Sequence, residues 1–248
     1  MLKSMKELRG FRIGATDGEL GKLDDAYFDD ERWTVRYLVA DVGHWLSGRK
    51  VLISPHAIAR IDSDGETVDT RLTRAEVEKS PPIETDEPIS RRMEAEYNRY
   101  YRYPPYWGTG TTPGRWGLGA LPLAGMEPVL HGAQVQRDTE GPNAAAETGD
   151  IHLRSAREVT GYHVAASDRG IGHIEDFLFD GDDWSIRYVV VDTRDWWPGR
   201  HVLVSPEHVD RVSWPARSVF LDITRAKVEQ SPEYDPRHAP ERSIAVRA

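Results

Sequence analysis

W-T-V-R-Y-L-V-A-D-V-G-H-W-L-S-G-R-K-V-L-I-S-P occupies residues 33–55, and W-S-I-R-Y-V-V-V-D-T-R-D-W-W-P-G-R-H-V-L-V-S-P occupies residues 184–206. The two align without a gap at an offset of 151 residues. Self-similarity of this kind marks one structural unit written twice. Each copy opens on β-branched and aromatic residues, the composition of a strand. Alternation over Trp33 to Val42 places Trp33, Val35, Tyr37 and Val39 on one face, with Thr34, Arg36, Leu38 and Ala40 on the other. A glycine-containing loop follows. Val51-Leu52-Ile53 then reads as a second short strand, stopped by Ser54-Pro55.

Working outward, the flanks repeat too. Asp17-Gly18 and Asp64-Gly65 are turn signals between short apolar runs. Thr73-Arg74-Ala75-Glu76 has the form of a capping box opening a short helix that Pro81-Pro82 ends. Thr224-Arg225-Ala226-Lys227 repeats it with lysine for glutamate, so only half of the box is kept. Gly10-Phe11, Asp17, Gly21, Asp25 and Phe28-Asp29 return as Gly161-Tyr162, Asp168, Gly172, Asp176 and Phe179-Asp180. Each unit therefore reads as about six short strands and one C-terminal helical turn. Such spacing predicts a small barrel or sandwich, and barrel closure would remove exposed strand edges. A unit of roughly 75–80 residues has a marginal core by itself, so two units are expected to pack on each other as a pseudo-twofold pair. The runs Asp24-Asp25 and Asp29-Asp30-Glu31, echoed by Glu175-Asp176, Asp180 and Asp182-Asp183, read as solvated strand and turn faces.

Three segments follow: a first unit over 1–83, a Pro/Gly/Tyr-rich linker over 84–150, and a second unit with a C-terminal tail over 151–248. Within the linker, Ser90 to Tyr103 predicts a helix over 90–103, followed by a crowd of aromatic residues. Its arginines and tyrosines are of the kind that stack bases, yet packing of the linker across the two units is favoured.

The 248 residues are 39% hydrophobic and 29% charged, ordinary for a globular protein. A formal charge of −9 argues against nucleic acid as a partner. With no cysteine, disulfides, thiolate metal sites and cysteine nucleophiles are excluded. No apolar run approaches the ~18 residues of a membrane span, and the N-terminus lacks the apolar core of a secretory signal. A cytoplasmic location is expected.

No nucleophile elbow, phosphate-binding loop or dinucleotide fingerprint is present, and the nine histidines form no zinc-helix pattern. No enzyme activity, cofactor or metal is assigned. The best interaction candidate is the repeated loop. Asp41, Trp45 and Arg49, with Asp192, Trp196 and Arg200, are read as an ion pair beside an aromatic plate that either fixes the loop or meets a partner. Tyr97, Tyr100, Tyr101 and Trp107 are the linker candidates, since such aromatics anchor interfaces.

D-G-E-L-G-K-L-D-D-A-Y-F-D, W-T-V-R-Y-L-V-A-D and G-R-K-V-L-I-S-P, each with its counterpart in the second copy, resemble the PRC-barrel domain. The resemblance covers roughly residues 8–82 and 159–233. It implies an all-β-dominated chain of two small bulged barrels, each with a short C-terminal helix. It also implies a module that binds or assembles with another protein, the identity of which it does not give, and supplies no catalytic residues. The pair would be an intramolecular pseudo-dimer, compatible with further homo-oligomerisation. The alternative is a small-ligand or metal-binding regulator with its pocket between the two barrels.

Overall fold

The computed structural model describes residues 1–43, 49–81, 89, 91–104, 153–193 and 200–235. The chain starts with β1 (Leu2–Ser4) and α1 (Met5–Leu8), then runs through β2 (Arg12–Ala15), β3 (Gly18–Asp29), β4 (Thr34–Asp41), β5 (Lys50–Ile53), β6 (Ile58–Asp62), β7 (Thr67–Thr70) and α2 (Arg74–Glu78). After α3 (Arg91–Tyr101) the series returns as β8 (Leu153–Ser155), α4 (Ala156–Val159), β9 (His163–Ala165), β10 (Gly170–Asp180), β11 (Ile186–Asp192), β12 (His201–Val204), β13 (Val209–Ser213), β14 (Ser218–Leu221) and α5 (Arg225–Val228), with β15 (Glu233–Tyr234) last.

The fold is strand-dominated and built on two sheets. The first has the order β5-β4-β3-β2-β7-β6, and the second repeats it as β12-β11-β10-β9-β14-β13 with β15 added beside β12. All pairings are antiparallel except β2–β7 and β9–β14, which are parallel. The expected closure into barrels is not seen: neither pairing path returns on itself among the described residues. Edges are managed differently. β2 pairs with β3 only along Gly18 to Lys22. The other end of that edge, Tyr27 to Asp29, is taken by β8 of the second unit. Reciprocally, β1 of the first unit pairs with Leu178 to Asp180 of β10. Each unit therefore lends its opening strand to the other, which removes an exposed edge on both sides.

The two sheets also meet where β4 and β11 begin. The Val35 amide donates to the Trp184 carbonyl at 2.9 Å, and the Ile186 amide to the Trp33 carbonyl at 2.7 Å. Trp33 and Trp184 hold left-handed φ values of 49° and 62° and stack on Phe28 and Phe179. Phe28 meets Phe177 across the seam with ring centroids 5.0 Å apart. One hydrophobic core accordingly contains Leu8, Phe28, Val35, Ala156, Phe177 and Phe179 from both halves. The shared core answers the marginal burial expected of either unit alone. Val77 and Val228, on α2 and α5, are buried in it as well.

Simple alternation in β4 fails at one residue. Phe28 pairs with Val35 but Tyr27 pairs with Tyr37, leaving Arg36 as an extra residue in a β-bulge. The bulge puts Val35, Leu38 and Ala40 in the shared core, and moves Tyr37 and Val39 to the opposite face. Arg187 is the bulged residue in the second copy. A second bulge makes Asp24 the extra residue of β3 and Glu175 that of β10.

Candidate functional site

Three groups of side chains stand out, the first of them at the exchanged strands. Ser4 caps α1, its Oγ accepting the Glu7 amide at 2.9 Å, while its hydroxyl donates to Asp176 Oδ2. Asp176 Oδ1 also accepts the Lys6 amide at 2.9 Å. The second unit repeats this geometry on the first. Ser155 caps α4, donates to Asp25 Oδ2 at 2.5 Å, and the Arg157 amide donates to Asp25 Oδ1 at 2.9 Å. A carboxylate from one half thus completes the helix N-terminus of the other, where amides lack intrahelical partners. Burial pushes the Asp176 carboxyl above its ordinary range, although the Ser4 hydroxyl and the Lys6 amide act to lower it. This corrects the expectation of a solvated acidic face: Asp25, Asp29 and Asp176 are all buried. Asp29 Oδ2 accepts from Arg36 Nη2 at 3.0 Å in a buried ion pair. The available signal was S-x-x-E, present at Ser4–Glu7 and again at Ser155–Glu158 immediately before each unit.

The second group is the repeated loop. Asp41 and Arg49 do not form the expected ion pair. Asp41 Oδ1 accepts the Gly43 amide at 2.9 Å. Arg49 Nη2 instead reaches the carbonyls of Val77 at 3.1 Å and Ser80 at 3.4 Å, at the C-terminal end of α2. There the negative end of the helix dipole favours a cation. Arg200 Nη2 lies 3.6 Å from Glu233 Oε2 beside β15, not on α5. Asp192 is buried, and its ligand atom lies within 4.8 Å of those of Glu175 and His201, a cluster that sequence spacing did not reveal. Trp45, Trp196 and Trp107 fall outside the described residues.

The third group is the tyrosine set, which seats α3 on the outer face of the first sheet. Tyr97 is 1% exposed; its hydroxyl accepts the Ser54 amide at 2.9 Å and donates to the Leu52 carbonyl at 3.1 Å. The Tyr37 hydroxyl meets buried Glu94 at 2.9 Å. Tyr100 donates to the Glu76 carbonyl at 2.8 Å and remains 38% exposed. Tyr101 stacks on Tyr103 with an interplanar angle of 10°. Ile89, Val39, Leu52 and Leu153 fill the apolar ground between them. Burial raises the Tyr97 phenol and pushes Tyr101 up to about 12. On the second sheet the corresponding apolar face, Leu178, Val190 and Leu203, packs with Tyr234 of β15.

A further feature is a cleft of about 590 Å³ at the seam, lined by Met1, Lys3, His56, Arg60, Arg71 and Trp184 among others. Burial holds the His56 imidazole below its ordinary pKa. No helix among the described residues is long and apolar enough to cross a membrane.

These observations define a strand-dominated two-sheet protein with shared end strands and a helix docked on one outer face. Residues 3–76 match the family model of the PRC-barrel domain. An uncharacterized protein of Deinococcus radiodurans is 31% identical over 80 residues, which is 32% of this chain and 28% of that relative. The chain thus spans little more than a quarter of the length of the curated relative it matches.

Proposed function

We propose that the chain is a tandem of two PRC-barrel-type units acting as a non-enzymatic module that binds or assembles another protein, in the cytoplasm. The family match over 3–76 supports the first unit, and the same element order at an offset of 151 residues supports the second. The seating of α3 carries the binding reading. The sheet face β3-β4-β5 accepts a tyrosine-lined helix through paired polar anchors on an apolar ground, one recurring way in which protein surfaces take partner segments. Exposed Arg99, Tyr100 and Arg102 flank that seat and form the contact region. A tagged chain isolated from its native cells should carry a stoichiometric protein partner that is lost in Tyr100→Glu/Arg102→Glu. A partner retained by that variant would move the contact elsewhere, and the absence of any partner would end the reading.

The seam cleft favours a second reading, a small-ligand or metal-binding regulator. Lys3, Arg60 and Arg71 surround an indole there, with Asp182 also in the lining and Arg60 held by Asp62 and Asp69, so an anionic metabolite would compete with those carboxylates for Arg60. Ligands that bind only the folded state raise the melting temperature by mass action. A thermal-shift screen should then find one anion whose effect disappears in Arg60→Ala.

A further inference from the structure

Reading straight across the second sheet, His163 pairs with His173, His173 with Asp192, and Asp192 with His201. Directly opposed residues of antiparallel strands present their side chains on one face. The same row in the first sheet is Arg12, Lys22, Asp41 and Lys50. The aspartate is kept, and all three fixed cations are replaced by imidazoles. Asp24, the bulged acid beside the first row, takes the Lys50 ammonium at 3.1 Å and the Arg157 guanidinium at 2.9 Å. Its counterpart Glu175 has the Lys6 ammonium, which is 58% exposed, and no lysine opposite Asp192. The row therefore trades lysine and arginine side chains, which do not bind metals well, for imidazoles, which are common metal ligands.

We infer that Glu175, Asp192 and His201 form a binding site for a divalent transition ion of the zinc type. One ligand atom from each lies within 4.8 Å of the others. Bonds of roughly 2.0–2.1 Å to a tetrahedral ion imply ligand separations of about 3.3 Å, which side-chain rotation can reach. An imidazole nitrogen with two carboxylate oxygens is a borderline donor set, suited to zinc and nickel better than to calcium. Asp192 is buried while Glu175 and His201 are half-buried, so the ion would have one protected side and one side open to water or a further ligand. Gly172 fixes Asp192 from behind, because a Cβ there would lie 1.9 Å from the Asp192 carbonyl oxygen. The site lies on the second sheet, apart from the seam cleft and the α3 seat, and stands independently of both proposed functions.

The discriminating variant is His201→Lys, which installs the residue that the first unit carries at Lys50 and so has a folded precedent in the same chain. Full-length protein stripped with chelator and titrated with zinc alone at pH 7.5 should bind one ion per chain and melt at a higher temperature. His201→Lys should weaken this by more than about tenfold, with circular dichroism unchanged. His208→Ala, which removes a histidine of the turn between β12 and β13 that lies 3.3 Å from Asp222, should leave binding intact. No zinc uptake by the parent chain, equal uptake by His201→Lys, or loss of uptake in His208→Ala would each overturn the site.

Discussion

Gly21 and Gly172 show how a single residue sets the sheet. They adopt φ values of 153° and 143°, and a Cβ would fall 2.1 Å and 1.9 Å from the carbonyl oxygens of Asp41 and Asp192. Neither backbone nor neighbour can yield cheaply. Gly161 has φ 88° but nothing within 4 Å of a Cβ. Gly172→Ala should therefore cost more than about 2 kcal/mol, combining strain with collision, and Gly161→Ala distinctly less. Urea unfolding of the two variants checks the order, and equal losses would refute the close approach. At this scale the sequence was only partly legible. The Asp17-Gly18 turn could be read, but not that Asp17 Oδ1 accepts the Arg74 amide at 2.8 Å. That partner lies on a helix far along the chain. Asp168 repeats the contact with Arg225, which holds its carboxyl below the usual range.

Among elements, local rules predicted local features. The capping box at Thr73 and Glu76 is complete, and its second copy at Thr224 keeps only the hydroxyl half. The alternation of β4 was misread because a bulge leaves no periodic signature: the register slips at Arg36 and the face changes. Strand exchange was also beyond reach, because a three-residue strand carries no information about which edge it will join. Its consequence can be measured. Deleting residues 1–8 strips β1 from β10 and removes the Ser4 and Lys6 contacts of Asp176. Amide exchange should then accelerate first over residues 170–180 of the second unit, and less over residues 18–29 of the first. Acceleration confined to the first unit would contradict reciprocal lending. The corresponding loss on Ser155→Ala should fall on the first unit.

For the molecule as a whole, duplication and a burial shared between the two units were the most legible properties, and the exchange of end strands the least. The repeated stretch pointed to two like units of short strands, while the strand order and the pairing path that stays open had to be seen. Several phenols are built into the covering layers. Tyr101 and Tyr234 are both raised from 10.0 to about 12, chiefly by burial. The folded state holds these protons more tightly than the unfolded chain does. Their contribution is fully present below pH 10 and is lost as pH rises towards about 12. The melting temperature should fall across that window, together with late phenolate absorbance, and Tyr101→Phe should flatten the fall. A melting temperature level to pH 12 would exclude the effect.

The reciprocal loan of β1 and β8 also fixes an order of events during synthesis. A nascent chain that has emerged through Thr70 possesses every strand of its first sheet except the one to be donated from Leu153–Ser155. Leu2–Ser4, made well before β10, must in turn wait for that strand before they have it to pair with. Neither half can reach its finished hydrogen bonding while translation is still within the intervening segment. Completion of both falls to one late, long-range step, the kind of contact that slows folding.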